Sequence, residues 1–427
     1  MSEQKDIQAS DREDLAFLFS RRKFLEVSSA VMVAASLSTT SQAQGLDFNF
    51  DGKISRHVLQ CILSRAVTHV GLCAVYPEAS TNQFDDDLRM LTHIGAKFIG
   101  RAAYAWRTTP DDDAHFRAAT ERAAAVHKAD PQIVLQACVF EAIYSDVSRI
   151  PIPDWVFEEF RLPVQKRNFR YEAMLYDAGS GDLHDHWERG GSVPDMTKLE
   201  TQMWFYYRAR RYIDAGFEAL HFGQVELMDH NDPEHLAWQS MLLRVRRYAR
   251  EKARRHWVLC DAHTHGETCR GRELFDFHAY PMCVQERRGH PEEGELRMYA
   301  LGSIYGDSRG GVTPSGWPCD SLPCIVELDS NGVSPHPGKP GQPGWMWGYD
   351  EICWFARQPE AYRNSWLKYA DSWLRAHDPN GWVQMPTRRN LAVEVGGGYM
   401  YQANTPSPGH VGFNQEETIK AILDSRR

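Results

Sequence analysis

What most limits the folds open to this chain is an alternation of short apolar runs with helix-periodic stretches along nearly its whole length. Strands separated by helices pack as a parallel sheet, because every crossover returns the chain to the same end. The pattern predicts strands at 70–76, 97–106, 132–141, 217–225, 257–261, 274–280, 323–328 and 382–385. Helices are expected at 55–67, 84–94, 114–128, 199–215, 234–254, 349–377 and 416–424, with a further helical stretch at 294–305. About eight strands favour a closed (β/α)8 TIM barrel over an open sheet. A length of 427 residues leaves room for long loop insertions, expected after strand three (144–195, with Pro151, Pro153, Pro163 and Pro194) and after strand seven (330–347, with PGKPGQPG). No GxGxxG follows a strand and no GxxxxGK[ST] occurs, so dinucleotide and P-loop readings lose their support.

A barrel places its chemistry where strands end. Strand four runs out through HFGQVELMD, giving Gln224, Glu226 and Asp229; strand seven runs out through CIVELDS, giving Glu327 and Asp329. Alternation puts Glu327 and Asp329 on one side of the chain. Other strand ends add Arg101 and Tyr104, Glu141, Asp261 and His263, and His278 and Tyr280, as groups to hold hydroxyls. Trp345, Trp347 and Trp382 are candidate platforms for a sugar ring, whereas Trp354, Trp366 and Trp373 fall on a helix and read as core.

A Glu closing strand four and a Glu closing strand seven resemble the arrangement of the clan-A glycoside hydrolases, retaining enzymes on a (β/α)8 barrel. The resemblance implies Glu226 as acid/base and Glu327 as nucleophile, acting on a carbohydrate. One carboxyl gives its proton to the leaving oxygen while the other attacks the anomeric carbon, which retention requires about 5 Å apart. Where the clan has Asn before the acid/base, this chain has Val225, with Gln224 one further back.

The N-terminal segment SRRKFL followed by VSSAVMVAASLS resembles a twin-arginine export signal, through Ser20, Arg21, Arg22, Phe24 and Leu25. It implies passage through the twin-arginine translocation machinery to the periplasm or beyond. Cleavage after Ser41-Gln42-Ala43 would leave one barrel domain over 44–427, with 1–43 as the signal. No segment is apolar for long enough to make a stable membrane span. A formal charge of −9 with no basic stripe argues against nucleic acid.

The nine cysteines form no CxxC; most read as small core residues, with Cys319 and Cys324 a possible pair. Asp47, Asn49, Asp51 and Gly52 match the start of a calcium loop, but its twelfth position is Val58, so the segment reads as a turn before a helix capped by Ser55. No cofactor is expected. The alternative chemistry is a divalent metal held by Asp261, His263 and His265, with His184, Asp185, His186 and His278 as further ligands, in a metal-dependent hydrolase or isomerase. A third reading is a sugar-binding barrel without turnover.

Overall fold

The computed structural model describes residues 45–77, 83–177, 179, 183–282, 284–297 and 308–426; the leader with its twin arginines lies outside them. Parallel strands run β1 (Ala66–His69), β2 (Phe98–Ala105), β3 (Val134–Cys138), β4 (Ala219–Gln224), β5 (Leu259–His263), β6 (Phe277–Pro281), β7 (Cys324–Glu327) and β8 (Gly381–Val383), each paired with the next. One residue on, β9 (Met385–Val395) pairs in parallel with β1. The stretch 381–395 therefore joins both ends of the ladder, with Gln384 at the changeover. Its backbone N–H donates to Val326 O at 2.7 Å, and its side chain donates to Val67 O at 3.1 Å. The result is a curled, largely parallel sheet with alternating helices, a (β/α)8-like barrel.

Helices α1 (Arg56–Leu63), α2 (Phe84–His93), α3 (Asp112–Ala129), α4 (Leu199–Asp214), α5 (Leu236–Lys252), α6 (Glu360–His377) and α7 (Glu416–Ser425) accompany the strands. Ser55 Oγ caps α1 by accepting from Val58 N, and Asp111 caps α3 by accepting from Ala114 N. Between β5 and β6 there is a two-stranded hairpin, Thr268–Cys269 with Arg272–Glu273, and no helix. No helix among the described residues is long and apolar enough to cross a membrane.

Several expectations need correction. The first strand is Ala66–His69, not 70–76; its four residues are all buried, while Ala74–Tyr76 only flanks β2. Helix 349–377 is two helices, Glu351–Arg357 and α6, parted by Gln358 and Pro359. His290–Leu296 is a strand paired with Val284–Arg287, so the expected helix does not begin at 294; residues 298–305 of that expectation lie outside the described ones. The eighth strand continues well beyond 385 as β9. Cys319 and Cys324 form no disulfide, and Cys324 Sγ donates to Asp378 Oδ2 at 3.5 Å. Asp51 of the calcium-like turn pairs with His256 at 2.6 Å.

Alternation along the strands sorts the barrel interior into layers. At the floor Ala66, Phe98, Val134, Ala219, Leu259, Phe277 and Ile325 form one apolar cluster. Two residues further on, the same face carries Thr68, Gln136, His221, Asp261 and Glu327, all buried. Two further again come the residues of the open mouth. The middle layer is polar and hydrogen-bonded within itself: Gln136 Nε2 donates to Asp261 Oδ1 at 2.6 Å, and Asp261 Oδ2 meets His221 Nδ1 at 2.7 Å.

Burial pushes the Asp261 carboxyl up to about 8 and the His221 imidazole down to about 3. The pair is therefore neutral around pH 7 and holds one proton. Unfolded, the same two groups hold one proton, on the histidine, between roughly pH 4 and 6.5, and none above it. The folded pair keeps its proton up to about pH 8. The pair's contribution to stability therefore falls as pH rises from about 6.5 to 8, by about 2 kcal/mol at most. Asp261→Asn is expected to remove that component, so the difference in unfolding free energy between variant and wild type, measured in urea across this window, should change with pH. A constant difference would refute the neutral pair.

Candidate active site

Above the polar layer lies a cavity of about 450 Å³ at the C-terminal mouth of the barrel. Every strand but β8 reaches it, directly or through the residues that follow: Val70 after β1, Arg101 and Tyr104 on β2, Phe140 and Glu141 after β3, Gly223 and Gln224 on β4. His263 on β5, Pro281 on β6, Asp329 after β7, and Arg389 and Asn390 on β9 complete the wall. One side is aromatic. Phe140 packs against Tyr104 and Trp106, both at 5.3 Å between centroids, and Trp106 packs against Trp187 at 5.2 Å. The other side is charged.

The charge is anchored by Glu327, which is only 4% exposed and lies below the cavity wall. Its Oε1 accepts from Arg101 Nε at 2.8 Å and from Arg101 Nη2; its Oε2 accepts from Arg389 Nη1 at 3.0 Å and Thr68 Oγ1 at 2.9 Å. Burial opposes ionisation, but the two guanidinium groups outweigh it and hold the carboxyl well below the usual range. Arg101 reaches this position through a kink. Its φ is +57°, the ladder to β3 shifts register between Ile99 and Ala103, and Gln136 Oε1 accepts its backbone N–H at 3.1 Å. Arg389 continues upward to Asp329 Oδ1 at 3.5 Å. Asp329 thus faces the cavity while Glu327, two residues earlier on the same side, lies beneath it.

Across the cavity, Glu141 accepts from Gln224 twice, from its side-chain amide at 3.0 Å and its backbone N–H at 3.1 Å. Gly223 makes this possible: its φ is +66°, and a methyl group there would land on Glu141 Oε2. His263 lines the cavity with a buried Nε2 that has no hydrogen-bond partner. Burial, then neighbouring His221 and Arg101, push it down to about 4, so it is a neutral imidazole. Asn390 Nδ2 donates to Tyr104 OH at 3.1 Å.

The sequence-predicted residues divide accordingly. Arg101, Tyr104, Glu141, Gln224, His263 and Asp329 line the cavity. Asp261 lies one layer below with His221 and Gln136. Glu226 does not line it: β4 ends at Gln224, and the one-turn helix Val225–Met228 carries Glu226 onto the surface, near Glu267 and Asp229. His278 and Tyr280 also lie elsewhere. Phe277 belongs to the floor and Pro281 to the mouth, so the residues between these alternating positions face outward, where His278 Nδ1 meets Ser308 Oγ at 2.6 Å. Trp382 packs at the floor, its Nε1 donating to Gln60 Oε1. Trp345 and Trp347 sit in the loop after β7 and do not line the cavity; Trp347 N is held by Glu286 Oε1 at 2.9 Å.

The expected metal triad does not converge either. Both oxygens of Asp261 are engaged by Gln136 and His221, and the His265 ring, beyond the end of β5, packs near Tyr280 at 5.3 Å. His184 is bonded to Tyr176 O, Asp185 accepts from Gly190 N, and the His186 ring packs on Trp187. Among the described residues, candidate metal-binding clusters exist instead at Asp229–His235–Glu267 and, on the surface, at His93–Glu416–Glu417.

Sequence reasoning missed Arg389 and Asn390, because the eighth strand was ended before TRRN. It also missed Trp106 and Phe140, each two residues from a named neighbour or one residue before it; alternation from Tyr104 and the run into Glu141 was the available signal. Trp187 comes from the long segment after β3 and carried no signal.

Removing the charge of Glu327 leaves two buried guanidinium groups short of their counter-ion. Glu327→Gln is expected to lower the unfolding free energy by about 3–5 kcal/mol. A denaturant midpoint matching the wild type would show that the ion pair is not structural.

No family model matches the chain, and no curated protein matches it in sequence. Among solved structures, it is similar to a debranching enzyme of Nostoc punctiforme soaked with acarbose, at 11% identity over 85% of this chain and 81% of that one, with a TM-score of 0.41. An α-galactosidase of Thermus thermophilus shares 12% identity over 54% and 49% of the two chains (TM-score 0.32), and the trehalulose synthase MutB of Pseudomonas mesoacidophila MX-45 shares 12% over 47% and 44% (TM-score 0.26). Likeness at this level carries no argument about activity, and the architecture rests on the strand pairing itself.

Proposed function

We propose that this chain is an exported carbohydrate-active enzyme that hydrolyses a glycosidic bond in the cavity at the barrel mouth. The observation that carries this reading is the division of the cavity into an aromatic wall (Tyr104, Trp106, Phe140, Trp187) and a wall of carboxylates, guanidinium groups and amides. A sugar ring has the same division, with C–H faces that pack on aromatic rings and hydroxyl edges that need donors and acceptors. The volume is in the range of about 300–1,000 Å³ usual for small-molecule sites.

Hydrolysis needs one carboxyl to donate a proton and one carboxylate to attack or to activate water. In place of Glu226 and Glu327, the reading assigns these roles to the two carboxylates that line the cavity. Asp329, with Arg389 against it, is given the role of nucleophile or base. Glu141, held across the cavity by Gln224, is given the acid role. His263, with its free Nε2, is a partner for a sugar hydroxyl.

The test is turnover of a panel of aryl glycosides by the mature chain. Asp329→Asn and Glu141→Gln should each lower kcat by on the order of 10²–10⁴-fold, while Glu226→Gln stays within a few-fold of wild type. Sugar binding with no turnover on any member of the panel would leave a binding barrel and end the hydrolase reading. Loss of turnover in Glu226→Gln would return the acid role to the surface helix.

Export by the twin-arginine route is supported by the leader and by the thiols. The eight described cysteines are free, so the described residues call for no oxidising compartment in order to fold. Replacing Arg21 and Arg22 together by Lys should leave the uncleaved chain in the cytoplasm, read by fractionation and immunoblot; export at the wild-type level would exclude this route.

A further inference from the structure

Beside the mouth, outside the cavity, Asp229, His235 and Glu267 bring one ligand atom each to within 4.8 Å of one another. Asp229 ends the one-turn helix after β4, His235 precedes α5, and Glu267 begins the hairpin after β5. His235 Nε2 lies 3.2 Å from Asp229 Oδ2 and 3.0 Å from Glu267 Oε2.

The other ring nitrogen fixes the tautomer. His235 Nδ1 is 3.0 Å from Thr268 O, and a carbonyl only accepts, so Nδ1 carries a hydrogen. Metal-bound histidines are held in this way, with the second nitrogen presenting its lone pair. Here Nε2 faces two carboxylate oxygens, which holds only with a proton or a cation between them; with no metal bound, those carboxylates hold the protonated ring up to about 11. Glu267 is aimed as well, because its Oε1 accepts from Thr264 Oγ1 at 3.0 Å and leaves Oε2 for the shared point.

His235 is not there to cap the helix. Asp232 does that, its carboxylate accepting from Leu236, Ala237 and Trp238 N. His235 holds a left-handed backbone, φ +53°, while its side chain turns to the carboxylates.

A second observation comes from Glu273, across the hairpin. It is 3% exposed, both its carboxylate oxygens are buried without a hydrogen-bond partner, and it lies close enough to Glu267 for the two charges to interact. Glu226 interacts with Glu267 and Asp229 as well. Glu267 thus has Glu226 and Glu273 as acidic neighbours and His235 and Arg309 as positive ones.

We infer that Asp229, His235 and Glu267 bind one divalent first-row metal ion, with zinc the best match, that fastens the loop after β4 to the hairpin after β5. One imidazole and two carboxylates are a normal zinc donor set, and the half-buried position leaves room for water as a further ligand. The inference is independent of the hydrolytic reading.

The test uses the full mature chain, stripped with a chelator and dialysed, then titrated with ZnCl2 and with MnCl2 by calorimetry, with thermal melting in parallel. One zinc per chain and a raised melting temperature are expected. Glu267→Gln and Asp229→Asn should each weaken zinc at least ~100-fold, the size of effect seen when even outer-shell partners of a metal are removed. Glu417→Gln, in the surface cluster, should leave binding unchanged. Circular dichroism separates lost binding from lost folding, and if one ligand variant fails to fold the other decides. No stoichiometric binding by the wild type, or loss of binding in Glu417→Gln alone, would overturn the inference and leave a proton between His235 and its carboxylates.

Discussion

Glu327 sits where the ring of strands meets itself, and it is bound from β1 by Thr68, from β2 by Arg101 and from β9 by Arg389. Those three strands, with β7 itself, flank the place where the stretch 381–395 passes from pairing with one end of the ladder to pairing with the other. The backbone ladder changes partner there at Gln384, and side-chain charge laces the seam. A buried carboxylate between two guanidinium groups is costly to desolvate, so it holds only because each oxygen has close donors. The mouth inherits its shape from this arrangement: Arg101 and Arg389 cannot move without exposing the charge, and Asp329 is held through Arg389.

The layering explains why a polar site can lie inside a barrel without unravelling it. An apolar floor closes the interior, and the layer above is polar and hydrogen-bonded within itself through Gln136, Asp261 and His221. Unpartnered nitrogen appears as the cavity is approached, at His221 Nε2 and His263 Nε2. Polarity rises toward the mouth as solvent and ligand become available to meet it.

Part of this was legible through period two, which holds outside the shifts on β2 and β4. Glu327 and Asp329 lie on one face, and Arg101, Tyr104, Glu141, Gln224 and His263 line the mouth. What failed was the counting of where strands begin and stop. Phe277 and Pro281 fix the parity of β6, and an origin one residue off turns His278 and Tyr280 from wall to exterior. Glu226 follows a strand by only two residues, yet a single helical turn intervenes and carries it outward. Depth was illegible too: a pattern says that Glu327 faces inward, but not that two arginines from distant segments will cover it.

The glycine at 223 leaves the molecule with an asymmetric tolerance to change. On that wall the backbone itself touches the carboxylate behind it, so a larger ligand cannot be accommodated by trimming anything, and no added side chain fits. The aromatic side is different, since Trp106 and Trp187 can each be shortened without touching the seam. Any drift in ligand preference has a single direction in which to travel, away from β4 and toward those rings.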